Sequence, residues 1–369
     1  MKFNRLFKVV CTGMVSLTLA FSLTACGSGQ GASKQTIEVI VKSQNSAYWD
    51  SLKLGVDDAA GETGYNIDYS APETEADLDQ QKKLIQDAVS KKVKAIVIAP
   101  IDAEALNEDL AQADAANIPV ICVDSDCSFE GKKTFISSNN ANAGSIEGRH
   151  AGEILMAKGG GTIAIVGHTK GAGNANGRIG GFIDTLVNDY GASVEELSPD
   201  QFISASNMSY YDAISVGRNV AREKGTNIRI VDLQYCDAKL EIARDNTNKF
   251  LDTYPDLSLI FATNQQTTLG ALEVIKQRGL DGKITFLGFD SGEEQVKGIE
   301  SGAISGLIAQ SPYNMGYLGV RYANKCVNNE KIPSLVDTGV TFVEKSNLND
   351  EEIKLLLNPE TFESYNKTE

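Results

Sequence analysis

The run Ala95-Ile96-Val97-Ile98-Ala99 carries no polar side chain and stops at Pro100. A strand with one wet face alternates apolar and polar residues, so an unbroken apolar run is a strand buried on both faces. Similar runs recur at Ile37 to Val41 around Glu38, Ile118 to Val123, Thr162 to Val166, Leu259 to Ala262, Ile284 to Phe289 and Ile304 to Ala309. Stretches of helical spacing separate them: Leu78, Ile85 and Val89 share one face, and Leu269, Leu272 and Ile275 another. Such alternation predicts parallel sheets covered by helices, and right-handed crossovers make each half a doubly wound α/β lobe.

The 369 residues suffice for two lobes, each with its own core. Two βα halves follow each other with a break near Ser138, a repeat of architecture without a repeat of sequence. In the first half a helix is predicted over Asp50 to Thr63, ended by Gly64, and another over Ala103 to Ala116. Thr74-Glu75-Ala76-Asp77 reads as a capping box. In the second half the loop Gly167 to Gly177 leads to a helix from Arg178. From Ser346 a tail holds a short helix, capped at Asn349-Asp350-Glu351-Glu352, that packs on a lobe from outside through Ile353, Leu356 and Leu357; it receives no function.

A net charge of −15 excludes a nucleic-acid partner, whose phosphates need basic patches. The chain begins with a basic segment, Lys2, Arg5 and Lys8, and an apolar one, Val9 to Leu23. Leu23-Thr24-Ala25-Cys26-Gly27 resembles the lipobox of bacterial lipoproteins. That resemblance implies a signal peptide over 1–25, lipidation of Cys26 and attachment to the extracytoplasmic face of the cell membrane. Residues 26–33 then form a flexible tether. Of six cysteines, Cys122, Cys127, Cys236 and Cys326 remain in the body of the chain. Their spacing matches no metal motif and selects no disulfide pair; Cys122 reads as a small buried hydrophobe. No cofactor and no metal are expected.

In open parallel sheets the crevice outside the strand C-terminal ends binds ligands. Ser43, Asn45, Ser46, Asp102 and Asp124 gather there. Tyr48 and Trp49, the latter the sole tryptophan, follow the first strand and its polar loop. Their flat apolar faces suit the C–H faces of a sugar ring, and a place in the core is the competing reading.

Six motifs then carry a resemblance, each on or beside a strand end. They are Tyr48-Trp49, Ala116-Asn117-Ile118-Pro119-Val120 before Asp124, Arg178-Ile179-Gly180-Gly181-Phe182, Phe261-Ala262-Thr263-Asn264, Gly288-Phe289-Asp290 and Ile308-Ala309-Gln310-Ser311-Pro312. From about Thr36 to Phe342 the chain resembles the sugar-binding proteins of bacterial ABC importers, of the ribose- and galactose-binding type. The resemblance implies two α/β lobes joined by three crossings, near Ser138, Gln310 and Gly339. The N-terminal lobe would comprise 34–138 and 311–339, the C-terminal lobe 139–310 and 340–345, and an extension 346–369; periodicity alone gives one boundary.

It further implies a monomeric binding protein that closes on a monosaccharide and delivers it to ABC permease subunits. Tyr48 and Trp49 would stack on the ring. Asp124, Asn264 and Asp290 would bond hydroxyls, and Gln310 would do so at a hinge, with Ser46 and Asn176 beside them. A carboxylate accepts from two vicinal hydroxyls at once, and amides both donate and accept. Turn chemistry is the alternative role for Asp and Asn at strand ends. The chain departs from ribose binders at Ala99, Ser125, Asn176 and Lys42. The scaffold therefore carries over without the ribose-specific contacts, Asp126 becomes a candidate for the missing ones, and Arg178 reads as structural.

Other readings are weaker. His150 and His168 have no partner nucleophile in a recognisable pattern, so no enzyme is expected. Gly171-x-Gly173-x-x-x-Gly177 is one residue too long for a dinucleotide fingerprint. A regulator of this fold would carry a helix-turn-helix where the signal segment stands. A sensor protein presenting ligand to a receptor, or a binder of a nucleoside or furanosyl signal molecule, is the alternative function.

Overall fold

The computed structural model describes residues 35–44 and 46–357. Residues 1–34, where the signal peptide, the lipidated Cys26 and the tether are expected, lie outside the described residues, as do Asn45 and 358–369. The unbroken apolar runs become central strands of two six-stranded sheets. The first holds β1 (Thr36–Ile40), β2 (Asn66–Ser70), β3 (Ala95–Ile98), β4 (Val120–Val123), β5 (Thr134–Ser137) and the late strand β11 (Leu335–Asp337), in the order β11-β5-β4-β3-β1-β2, all parallel. The second holds β6 (Gly161–Gly167), β7 (Ile228–Tyr235), β8 (Leu257–Ala262), β9 (Thr285–Phe289), β10 (Gly306–Gln310) and β12 (Val340–Val343). Its order is β12-β10-β9-β8-β6-β7, and β12 alone runs antiparallel.

Helices α1 (Ala47–Thr63), α2 (Leu78–Lys91), α3 (Asn107–Ala115) and α10 (Pro312–Val327) cover the first sheet. Helices α4 (Asn140–Ala157), α5 (Gly173–Tyr190), α6 (Tyr210–Lys224), α7 (Leu240–Thr253), α8 (Gln265–Gln277), α9 (Glu293–Ser301) and α11 (Glu351–Leu357) surround the second. Strand β3 shows why no alternation is visible in the sequence. Ala95 and Val97 pack with Trp49, Leu52 and Met315 on one face, Ile96 and Ile98 with Ile85 and Leu110 on the other. Each buried Val, Ile or Leu side chain contributes about 1.5–3 kcal/mol. In β8, Leu259 and Phe261 face Ile179 and Phe182, while Ile260 and Ala262 face Phe250 and Ile275.

Among the described residues the chain passes between the sheets after β5, after β10 and between β11 and β12. The single break read from periodicity misses the return, because β11 and β12 have only three and four residues. The first and third crossings are joined: Ser138 Oγ donates to the Gly339 carbonyl (2.8 Å), and Asn139 N–H to Asp337 (3.2 Å).

Local departures from the sequence reading have physical causes. Ser46 Oγ accepts from Trp49 N–H, so α1 starts at Ala47 rather than Asp50 and holds both aromatics in its first turn. The Asp102 carboxylate accepts from Glu104 and Ala105 N–H, both at 2.8 Å, and this turn delays α3 to Asn107. Thr74 to Asp77 is not a capping box: Asp77 turns back to accept from Thr74 N–H and Oγ1–H, and the helix starts after it. A capping box forms instead at Asn264 and Thr267. Helix α5 begins at Gly173, five residues before Arg178, and shortens the loop before it. The tail helix α11 buries Ile353 against the second lobe, with Leu356 and Leu357 beside it.

Helix α5 is set by backbone contact with α4. A β-carbon on Gly181 would stand 2.0 Å from the Ala141 carbonyl oxygen, so only glycine permits this approach. No helix of the described residues is long and apolar enough to cross a membrane.

Candidate functional site

The strand C-terminal ends of the two lobes face each other across a cleft. From the first lobe come Lys42 after β1, Asp124 after β4, and Ser46, Tyr48 and Trp49 at the start of α1, with Glu75 from the loop after β2. From the second come His168 after β6, Asn174 and Arg178 on α5, Asn264, Gln265 and Gln266 after β8, and Asp290 after β9. Gln310, at the second crossing, completes the lining.

Asp124 is the polar centre of the first lobe. Its carboxylate lies 2.9 Å from Lys42 Nζ and accepts from Tyr48 Oη (2.8 Å) and Ser125 Oγ (3.0 Å). Lys42 also bonds Ser125 Oγ. Burial pushes the Asp124 carboxyl up, but the Lys42 ammonium and Arg178 guanidinium outweigh it and hold the group below its ordinary range. Across the cleft, Asn174 Nδ2 reaches the same carboxylate at 3.4 Å.

Asp290 takes neutral partners: Gln310 Nε2 at 2.6 Å and Gln265 N–H at 2.8 Å. Burial dominates there and raises its carboxyl above the ordinary range despite Arg178. The other amide atom of Gln310, Oε1, is buried with no partner among the described residues. Arg178 commits Nε to Asn140 (2.9 Å) and Nη1 to the Thr263 carbonyl (2.7 Å), and its guanidinium lies 4.0 Å over the Phe289 ring. It braces the second lobe at the floor of the cleft.

His168 is a neutral link. Burial, aided by Arg178, pushes its pKa down to about 3. Asn174 Oδ1 already accepts from Ala175 N–H, so the 3.1 Å contact makes His168 Nε2 the donor, and Nδ1 accepts from Thr263 Oγ1 at 2.8 Å.

The aromatic pair meets edge to face, with centroids 4.9 Å apart and planes at 89°. One sugar face therefore cannot lie flat on both rings. Each ring is also fixed by its polar atom: Tyr48 on Asp124, and Trp49 Nε1 on Glu75 at 3.2 Å. Burial raises the Glu75 carboxyl. The space these groups enclose is about 20 Å³, the order of one water, so a sugar-sized ligand enters only when the lobes part. A wider depression of about 690 Å³ continues outward between α1 and α9, with Asp290 and Gln310 at its inner edge.

Seven of the expected residues come together here: Ser46, Tyr48, Trp49, Asp124, Asn264, Asp290 and Gln310. Asn264 spends its Oδ1 on the cap of α8 and keeps its amide nitrogen for the cleft wall. Asp126 is absent from the lining: its half-exposed carboxylate pairs with Lys132 at 2.8 Å. Asn176 is absent too. Since α5 starts at Gly173, Asn174 and Arg178 share the cleft-facing side at i, i+4 spacing, and Asn176 sits off it. That spacing was the available signal for Asn174. Lys42, a lone cation ending an apolar run, was a signal for the buried ion pair; Glu75 left none.

The periplasmic binding protein domain family matches residues 37–331. The ribose import binding protein RbsB of Escherichia coli (strain K12) is 25% identical over 334 residues, covering 90% of this chain and 98% of its own. An ABC transporter solute binding protein from Agrobacterium vitis, solved with bound D-fucose, is 30% identical with a TM-score of 0.72, over 86% of this chain and 98% of that one. A carbohydrate transporter solute binding protein from Agrobacterium radiobacter, in complex with D-arabinose, is 27% identical with a TM-score of 0.76, over 89% and 100%. Nearly the whole described chain is spanned by these matches, strand ends and cleft included: it belongs to the periplasmic binding protein domain family.

Proposed function

We propose that this chain is the extracytoplasmic solute-binding protein of an ABC importer and holds a monosaccharide between its lobes. The observation that carries the reading is the meeting of Asp124 and Asp290, acceptors from opposite lobes, in one aromatic-walled cleft. Hydroxyls donate to such carboxylates and accept from amides, and Gln310 Oε1 offers a further buried acceptor with no protein partner among the described residues. A ligand touching both lobes favours the closed form by its differential affinity, and the three crossings supply the hinge. The permease subunits recognise that closed form. The relatives named above, with ribose, D-fucose and D-arabinose in their descriptions, support a monosaccharide. Lys42, Glu75 and Asn174 replace the ribose-type contacts and set the choice of sugar.

The protein acts as a monomer, tethered by lipid on Cys26. Replacing Cys26 by alanine is expected to release it from the membrane fraction; retention there contradicts the anchor. The ligand is tested by thermal shift on the chain from Lys34 onward, against pentoses, hexoses, inositols, nucleosides and disaccharides. A ligand at a hundredfold excess over Kd stabilises by about 2.7 kcal/mol. A large shift from one or two monosaccharides is expected. Response to nucleosides alone moves the assignment to that class, and silence throughout overturns it.

A further inference from the structure

We infer that Cys122 and Cys127 form an intrachain disulfide that closes the turn carrying Asp124. Sequence spacing leaves the pairing open, but the fold places Cys122 in β4 and Cys127 in the following turn with their sulfurs 3.2 Å apart. Both side chains are buried and, like Cys236 and Cys326, stand as free thiols in the structure, but only Cys122 and Cys127 bring their sulfurs together. The ring so closed would be Cys122-Val123-Asp124-Ser125-Asp126-Cys127, and inside it Asp124 holds a left-handed backbone, φ 61°. A covalent closure fixes that unfavourable turn and with it the carboxylate at the centre of the cleft.

The surroundings favour Cys127 as the attacking sulfur. The Lys132 ammonium lies 2.8 Å from Asp126 and also donates to the Cys127 carbonyl. The Cys122 contact, with Lys132 helping, draws the Cys127 thiol below its ordinary range, while Cys122 is held above. The oxidant is a disulfide, either of a protein oxidoreductase or of glutathione, met late in folding, when the turn and its Lys132 contacts have formed but the turn is still open to a partner disulfide. Cys127 thiolate attacks one sulfur of that disulfide, forming a mixed disulfide and expelling one thiolate. Cys122 gives up its proton to the departing thiolate and attacks the Cys127 sulfur, expelling the second. Two protein thiols become one disulfide as the partner disulfide becomes two thiols. The extracytoplasmic placement proposed above supplies the oxidising setting; the pairing itself does not depend on sugar binding.

A metal is the rival occupant, since one donor atom each from Cys122, Asp126 and Cys127 lies within 4.8 Å of the others. The Lys132 ammonium already holds the Asp126 carboxylate and would repel a cation there.

The test refolds the full chain from the reduced, denatured state in a glutathione redox buffer. The soluble product is denatured, alkylated and digested with trypsin. No lysine or arginine lies between Lys94 and Lys132, so both cysteines fall in one peptide, Ala95 to Lys132. Expected is that peptide without either alkyl label and lighter by two hydrogen atoms, with the other four cysteines, Cys11, Cys26, Cys236 and Cys326, fully labelled. In Cys127→Ser the peptide should regain one label, and dithiothreitol should lower the melting temperature of the wild type but not of the variant. Two labels on the wild-type peptide, a bridge to Cys236 or Cys326, or protection that requires added Zn²⁺ each overturns the proposal.

Discussion

Asp124 and Asp290 end equivalent strands of the two sheets, β4 and β9, each with a left-handed backbone (φ 61° and 67°), yet their carboxyl groups lie in opposite electrostatic surroundings. Asp124 faces the ammonium of Lys42; Asp290 faces the amide of Gln310 and a backbone N–H. One carboxyl is drawn below its ordinary range and the other pushed above it. Non-glycine residues in this backbone region cost of order 1–3 kcal/mol each, and such strain clusters where ligands are held. Of the eight non-glycine residues with positive φ among the described residues, these two stand at matching places, one in each wall of the cleft.

The contrast predicts different outcomes for the two carboxylates. Asp290→Ala leaves the buried Gln310 Nε2 and Gln265 N–H without their acceptor, a loss partly offset because burial already disfavours the ionised carboxyl, so stability at pH 7 should fall by about 1–3 kcal/mol with the fold retained. Sugar binding should be lost. Calorimetric titration together with urea unfolding checks both, and retained affinity in a folded variant removes Asp290 from the site.

The Lys42–Asp124 pair behaves otherwise. Lys42→Met strands a buried carboxylate, and Asp124→Asn strands a buried ammonium; each single change should cost about 3–5 kcal/mol. The double variant should recover most of that loss, because neither charge then remains unpaired. Urea unfolding of the four proteins at pH 7 measures the coupling. Additive losses would mean that the 2.9 Å contact carries no coupling in solution.

How much of this was readable in advance follows from the range of each interaction. Unbroken runs such as Ala95 to Ala99 declare doubly covered strands because burial acts on every residue of a central strand. The same logic places Asp124 and Asp290 at strand ends. The return through β11 and β12 is silent, since three or four residues cannot establish a period. Asn176 and Asn174 differ only in helical phase, which depends on where α5 begins, and no side-chain cap marks that start. Asp126 is drawn off by Lys132, a contact made in the folded turn. Glu75 reaches Trp49 from a loop with no pattern of its own.

His168 predicts a pH effect. In the folded chain it stays neutral down to about pH 3, whereas its ordinary pKa is 6.5. Between those values the unfolded chain holds one more proton at this position, so stability contributed here falls as pH falls, by about 1.4 kcal/mol per unit. Glu147, buried and raised well above its ordinary range, works in the opposite sense. The difference between wild type and His168→Gln cancels that background. The wild-type advantage should shrink by about 1.4 kcal/mol per unit from pH 6 to pH 5, read from urea midpoints. A constant difference would mean that His168 is protonated in the folded state.

Trp49 supplies a direct report of the cleft, because no other tryptophan contributes to the emission. The indole is 3% exposed, meets Tyr48 edge to face, and donates Nε1–H to a Glu75 carboxyl that lines the same space. Opening of the lobes wets this wall and closure on a ligand dries it again. The emission of the wild type should therefore shift to shorter wavelength and saturate with the stabilising sugar, at the Kd found by calorimetry. Glu75→Gln keeps an acceptor for the indole, so the unliganded spectrum should change little. It replaces a carboxyl with an amide whose one oxygen already holds the indole, so a ligand hydroxyl loses an acceptor and affinity should fall roughly fivefold, about 1 kcal/mol. A sugar that binds by calorimetry but leaves the Trp49 emission untouched would have to bind away from this cleft.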